Sequence, residues 1–426
     1  MIDDKLIDIV IERLISRIED TNTYILQEIG NSIKQIRDIT PSKRHQLIQI
    51  LKYGENYQDI LNKLSKMTNL NLKDIKDIFK EVSKKDLNFA KNFYEYRNIP
   101  FVKYAENDTL KRQTMALANL TKREMYNFTR SRALGYTIRD LKGIPRFYGL
   151  RETYERVLDE AVLNVGQGKD TFDNAMTRIM KDIGGSGLKT VEFESGRSIR
   201  LDSAVRMHLK GGLRELHNEN QRLFGEEFGA NMVEVSHHSN SAPDHIDTVD
   251  GKQFAKIDII KEQIKNGIEK EITLKDIQDN KVKVNGKWYD DFDTINNSLT
   301  RKVSTLNCYH YTFVGILGIT EPEYTQKELN EDKKKNMNGC NIDGKHYTLY
   351  EVTQIQRSLE RKIREQKDIQ ILAKASNNEE LISKSQSAIT ALTKKYKEVC
   401  DISELPYKSK RLKVLGYRRT NIKKLK

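Results

Sequence analysis

"NCYHYTFVGILGI", Asn307 to Ile319, puts Cys308, one of the chain's three cysteines, two residues from His310. The pair stands at the mouth of the longest apolar run, Phe313 to Ile319. Two readings compete: a metal or thiol–imidazole site, or the closing strand of a small folded module. Alternate residues on a strand point to opposite faces, which disfavours a thiol–imidazole pair. The run is too short to span a bilayer, which needs about 20 residues. It therefore reads as the last strand or segment of a small α+β module. Cys308 is expected to pack as a small apolar group, with His310 meeting the loop of His238 and His245.

That loop, "SHHSNSAPDHIDTVDG", holds His237, His238 and His245. Imidazole and thiolate are usual zinc ligands, so His238, His245, Cys308 and His310 are the candidate metal ligands. Their spacing is not that of a zinc finger. The competing reading is a His-rich loop held against a strand by ordinary hydrogen bonds, and it leads to no metal and no cofactor. Asp244, Asp247 and Asp250 lie three apart, unlike the alternate carboxylates of a calcium loop. Histidine beside aspartate also suits metal-assisted phosphodiester hydrolysis, which needs convergent geometry. No P-loop, GxGxxG, HExxH or GxSxG motif occurs, so no catalytic residue is assigned.

Outward from this core the chain reads as helix with short β pieces. Ile7, Ile11, Leu14 and Ile18 recur at helical spacing. "KRHQLIQILKYG" ends a helix at Gly54, and "RNIPF" around Pro100 breaks another. Thr121 with Glu124 reads as a capping box that starts a helix. Tyr154, Leu158, Ala161 and Val165 form a further stripe, Thr171 caps the next helix, and "GGSG" at Gly184 to Gly187 ends it. In "VEFESGRSIRL" a three-residue loop would pair Phe193 with Ile199, Val191 with Leu201 and Glu192 with Arg200. Asp202 is placed to cap the helix bearing Val205, Leu209, Leu213 and Leu216. "MVEVS" is a strand candidate, and Asn285-Gly286 in "KVKVNGKWYD" is a hairpin signal. Trp288 beyond it reads as a packing residue. After Pro322 the chain is helical again: Val352, Ile355, Leu359 and Ile363 make one stripe, with Glu360 and Arg364 as a favourable pair. A second helical segment runs from Glu379 to Cys400.

The chain has 426 residues, 37% hydrophobic and 32% charged, with six prolines and a formal net charge of +13. Two or three domains are expected, at about 100–200 residues each. Three scattered cysteines make no disulfide framework and point to a reducing compartment. The opening Met-Ile-Asp-Asp lacks the basic region of a signal peptide, so a soluble protein made in a cytoplasm is expected. Residues 401–426 carry nine Lys/Arg and two acids. There Tyr407 and Tyr417 interleave with Lys408, Lys410, Arg411, Lys413, Arg418, Arg419, Lys423 and Lys424. Such cations neutralise phosphates without reading sequence, and tyrosines stack on bases. A basic tail docked on an acidic protein surface, or one simply solvated, would have the same composition.

"VEVSHHSNSAPDHIDTVDGKQF", then "NCYHYTFVGILGI", then "YTLYEVTQIQRSLERKIREQK" resemble, in that order, the phage minor capsid protein 2 family. That family is related to the MuF-like head-morphogenesis proteins. "NLTKREM" and "ESGRSIRLDSAVRMHL" extend the likeness over roughly residues 60–375. The resemblance implies structural motif roles for His238, Pro243, His245 and Gly251 in the central loop, and for Asn307, Cys308 and His310 in the closing segment. Ala242 and Tyr309 stand where arginine is usual, and the span from His245 to Gly251 is one residue longer. A structural role survives these changes more easily than phosphate binding does.

The expected architecture is mainly α with a small α+β module. Its segments are a helical region at 1–145, a MuF-like α+β domain with short hairpins at 146–321, C-terminal helices at 322–400 and a basic tail at 401–426. The resemblance implies a low-copy structural protein, not an enzyme, inside the virion near the portal and in the host cytoplasm during assembly. It would assist head assembly and DNA packaging or ejection. Portal protein, other head proteins and non-specific double-stranded genomic DNA would be its partners. The alternative is a metal-dependent phosphodiesterase, nuclease or toxin carried in the particle.

Overall fold

The computed structural model describes residues 4–37, 72–128, 133–140, 143–153, 155–156, 172–191, 198–305, 308 and 310–420. Within them the chain is mainly α with small antiparallel sheets, as expected. No helix among the described residues is long and apolar enough to cross a membrane. The helix expected at 43–54, the stripe from Tyr154 to Val165, Thr171, Glu192, Phe193, Asn307, Tyr309, Lys423 and Lys424 lie outside the described residues.

Helix α1 spans Asp4–Arg37 and buries Ile18, Ile25, Ile29 and Ile33, a stripe spaced by seven, four and four residues. Helix α2 (Leu72–Tyr96) stops before Pro100, where Asn98 takes φ 54°. Helix α3 (Asp108–Phe128) starts behind Asn107, whose Oδ1 accepts from the Leu110 amide at 2.9 Å. Thr121 therefore starts no helix. It is buried mid-helix where another helix comes close: a Cβ on Gly212 would lie 2.1 Å from Thr121 Oγ1.

Strands β1 (Leu134–Arg139) and β2 (Pro145–Gly149) form a hairpin. Helix α4 (Phe172–Ser186) continues through the first two glycines of "GGSG" and ends at Gly187, φ 61°. Strands β3 (Lys189–Val191) and β4 (Ser198–Arg200) pair Val191 with Ser198 and Thr190 with Ile199, three residues off the expected register. The reason is that Leu201 is buried as the first residue of α5 (Leu201–Phe228), and Arg200 turns to Asp202 and Asp368. Asp202 thus lies in the helix's first turn. Val205, Leu209, Leu213 and Leu216 are buried as expected.

Next come β5 (Met232–Val235), α6 (Pro243–Ile246), β6 (Gln253–Ala255) and α7 (Ile257–Lys265). Strands β7 (Ile277–Gln278), β8 (Lys281–Val284) and β9 (Lys287–Asp290) follow. The β8–β9 loop is the two residues Asn285 (φ 48°) and Gly286 (φ 81°), as read from the sequence. Trp288 corrects its expectation: it is 44% exposed, across the hairpin from Lys283. Then come α8 (Phe292–Ser298), β10 (Thr312–Gly315), α9 (Gln326–Asn338) and the hairpin β11 (Cys340–Ile342) to β12 (Lys345–Tyr347). Helices α10 (Leu349–Ala375) and α11 (Glu379–Ser403) are the last described α-helices, and a 3-10 turn at Ser409–Leu412 follows them.

The described residues group into two compact units. Those within 4–7, 73–121 and 209–353 form one, and those within 8–37, 72, 122–208 and 354–420 form the other. In the first, β10, β5 and β6 form an antiparallel sheet in that order, so "NCYHYTFVGILGI" supplies its last strand. All four β5 residues are buried. Met232 packs with Ile260, Val284 and Leu317 on one face; Val233 and Val235 pack with Val249, Phe254 and Phe292 on the other. Each such side chain contributes about 1.5–3 kcal/mol by leaving water.

In the second unit the sheet order is β2–β1–β3–β4. Tyr136 on β1 is fully buried, and its hydroxyl donates to Asn22 Oδ1 at 3.1 Å. Asn22 Nδ2 donates to Asp368 Oδ1 at 3.3 Å, and Arg200 Nη2 donates to Asp368 Oδ2 at 3.4 Å. Asp202 accepts from Arg200 Nε at 3.3 Å and pairs with Arg364. The expected pair between Glu360 and Arg364 is absent, because Glu360 instead accepts from the Tyr396 hydroxyl at 2.8 Å.

Candidate functional site

The densest cluster of chemistry lies in the first unit, where the loop after β5 meets the segment before β10. Pro243 occupies the first turn of α6, where its missing N–H costs no hydrogen bond, and this short helix carries His245. Gly251 ends the loop at φ 68°, a region glycine enters without cost, and a Cβ there would lie 2.4 Å from Leu329 Cδ2. On the other side Arg214 Nη1 donates to the Cys308 carbonyl at 2.5 Å. The ring nitrogens of His217 lie 2.8 Å from Asp86 Oδ1 and 2.9 Å from the Thr312 carbonyl, tying α5 to α2 and β10.

Asp250 is the hub. Its Oδ1 accepts from the His238 amide (2.9 Å), Ser241 Oγ (2.7 Å) and His310 Nε2 (2.8 Å), and its Oδ2 accepts from His237 Nδ1 (2.6 Å). His237 Nε2 faces Asp332 Oδ2 at 2.8 Å. His245 Nε2 donates to the Arg301 carbonyl at 2.7 Å. That leaves the Nδ1 atoms of His245 and His310 facing each other at 3.2 Å. Cys308 Sγ lies 3.5 Å from His310 Nδ1 and 3.8 Å from His245 Nδ1. All three residues are buried, at 1%, 5% and 3% exposure for His245, Cys308 and His310.

Burial alone would raise the Cys308 thiol, but hydrogen bonds from His245 and His310 outweigh it and bring it down to about 5. Burial opposes the charged form of His310, yet Asp250 and Cys308 push its pKa up to about 9. The contact with Cys308 raises His245 against burial, and Asp250, then Asp332, does the same for His237. Asp250 is held well below the ordinary carboxylate range, since its hydrogen bonds from His237, His310 and Ser241 outweigh burial. The cluster thus joins an aspartate, its imidazoles and a thiol through one hydrogen-bonded network.

Of the four candidate ligands, His245, Cys308 and His310 bring their donor atoms within 4.8 Å of one another. His238 is set aside: its ring centroid is 4.9 Å from that of His310, and its Nε2 lies 3.4 Å from Ser236 Oγ. The strand argument about Cys308 is corrected. Residue 308 precedes β10, in a turn where its amide donates to the Thr305 carbonyl at 3.0 Å, so strand alternation does not apply. Its sulfur faces two imidazoles instead of packing as an apolar group. The sequence reading missed Ser241, Arg301 and Asp332, and weighed Asp250 only against a calcium loop, which its spacing does not match, and against phosphodiester hydrolysis, not as a partner of His237 and His310. The pattern Asp-Gly after a histidine loop was the available signal.

The basic segment does not stand off into solvent over its described length. Leu412 and Val414 are buried, Thr23 Oγ1 donates to the Leu415 carbonyl at 2.5 Å, and Tyr417 Oη donates to Gln386 Oε1 at 3.1 Å. Lys367 Nζ sits 4.8 Å from the Tyr417 ring centroid, Tyr407 packs on Tyr396, and Arg411 Nη1 is 3.7 Å from Glu360 Oε2. The tyrosines expected to stack on bases therefore pack on protein. Lys408, Lys410, Lys413, Arg418 and Arg419 remain on the exposed side of this strap.

A family model described as phage minor capsid protein 2 matches residues 2–401. No curated protein matches the chain, and no solved structure does.

Proposed function

The chain belongs to the phage minor capsid protein 2 family, and from that premise we propose a low-copy component of the virion interior, seated near the portal vertex. The family makes it a structural protein of the phage head. The finer reading is that it contacts portal and other head proteins, passes through the host cytoplasm during assembly, and assists packaging or ejection of the genome. The family match over 2–401 carries this reading. Quantitative mass spectrometry of purified, nuclease-treated particles tests it. The expected result is a fixed, low ratio to portal protein; absence from particles overturns it.

Non-specific contact with the double-stranded genome is the second part of the reading, supported by the exposed cations of the strap. Each phosphate neutralised contributes about −0.9 to the slope of log affinity against log salt. Replacing Lys410, Lys413, Arg418 and Arg419 together by glutamine should flatten that slope by up to about 3.6. An unchanged slope assigns the strap to protein contacts alone. A metal-dependent phosphodiesterase, nuclease or toxin has less support, because His245, Cys308 and His310 are all buried.

A further inference from the structure

We propose that His245 Nδ1, His310 Nδ1 and Cys308 Sγ form a site for a borderline-soft divalent transition metal such as zinc. The ion locks the 236–251 loop to the segment before β10. Neither the family match nor the reading of function assigns such a site.

Zinc bonds of about 2.05 Å to nitrogen and about 2.3 Å to sulfur, at tetrahedral angles, place donors about 3.3 Å (N···N) and about 3.6 Å (N···S) apart. The observed separations are 3.2 Å between the two Nδ1 atoms, and 3.5 and 3.8 Å from sulfur to each. The three donors already lie close to the edge lengths of one coordination tetrahedron, and a water completes it.

A metal-bound imidazole usually donates its other N–H to a carbonyl or carboxylate, which fixes the tautomer and aims the ligating nitrogen. His245 does this through Nε2 to the Arg301 carbonyl, and His310 through Nε2 to Asp250 Oδ1. Ser241 Oγ in turn donates to that same carboxylate oxygen at 2.7 Å. Both rings are held by separate outer partners so that both Nδ1 atoms face the sulfur.

The rival use of the same atoms is a thiol nucleophile activated by histidine. That chemistry needs one imidazole and an accessible sulfur. Here two imidazoles face a sulfur of a residue only 5% exposed. Mixed nitrogen and thiolate donors select zinc-like ions over calcium or magnesium, which take oxygen.

The test uses the full chain without a polyhistidine tag, stripped with chelator and reloaded with zinc or cobalt(II). One equivalent of zinc per chain is expected. Cobalt should give the intense visible bands of a tetrahedral site and a near-ultraviolet sulfur-to-cobalt charge-transfer band. Cys308→Ser should lose that band and the retained zinc. Cys308→His keeps a donor, so it should retain the visible bands without the charge-transfer band; it carries the test if the serine variant fails to fold. Asp250→Asn, a positioning change, should weaken zinc binding roughly 10–100-fold. His346→Gln, at an exposed histidine on β12, should still bind one equivalent. Wild type that retains no zinc, or a sulfur-to-cobalt charge-transfer band that persists in the Cys308 variants, overturns the proposal.

Discussion

Two polar clusters, one in each compact unit, bury charge with different chemistry. In one, Arg200, Arg364, Asp202 and Asp368 oppose two guanidiniums to two carboxylates. In the other, imidazoles and a thiolate gather around Asp250. Guanidinium stays charged at any pH a protein meets, so the first cluster depends on a carboxylate, Asp202, that stays ionised beside it. Imidazole and thiol change charge near neutrality, so the second cluster can exchange a proton for a cation. The comparison separates a fixed element of the fold from an adjustable one.

The largest effect is expected in the fixed cluster. Asp202→Ala would leave Arg200 and Arg364 buried without their shared partner, at a cost of about 3–5 kcal/mol. Chemical denaturation measures it; a loss under about 1 kcal/mol would mean that the guanidiniums escape to water. Asp250→Asn comes next. One amide oxygen cannot accept from all of Asp250's donors, and about 1.5–3 kcal/mol should be lost.

The pH dependence sharpens the contrast. Burial raises Asp368 from 3.8 to about 6, against the pull of Arg200 and Arg364. Between those values the folded chain holds a proton that the unfolded chain has released, so this group's contribution to stability falls as pH rises through the window. Asp202 behaves in the opposite sense. Burial works against its charge, but Arg200 and Arg364 more than compensate and depress its pKa. Its contribution is present above its unfolded pKa and is lost as pH falls through the folded one. Asp368→Asn should therefore make the slope of unfolding free energy against pH more positive between pH 4 and 6; an unaltered slope would show Asp368 ionised throughout.

Smaller effects follow. Gly251→Ala should cost about 1 kcal/mol, since its φ is left-handed and Leu329 can swing its methyl aside. Trp288→Ala, on an exposed hairpin face, should change stability by no more than about 0.5 kcal/mol by thermal melting.

Local signals were legible in the sequence and distant partners were not. Asn285-Gly286 specifies its hairpin by the backbone angles it tolerates. Asp343-Gly344 carries the same signal between β11 and β12 and was passed over inside a segment read as helix. The β3–β4 register failed because the partners of Arg200 include Asp368, 168 residues away. Thr121 matched a capping pattern, but pattern alone could not reveal the helix already running through it. The His238–His245 loop and His310 were expected to meet, and they do. The approach of Cys308 to both imidazoles depends on a turn ahead of the strand, which periodicity does not encode.

The central claim is that the buried histidine–cysteine cluster holds the fold together and that the protein acts through its surfaces. A nicking assay on supercoiled plasmid with Mg²⁺, Mn²⁺ or Zn²⁺ tests it most directly. The plasmid should remain supercoiled under all three ions. Nicking by wild type that disappears in both Cys308→Ser and His245→Gln variants would contradict the account.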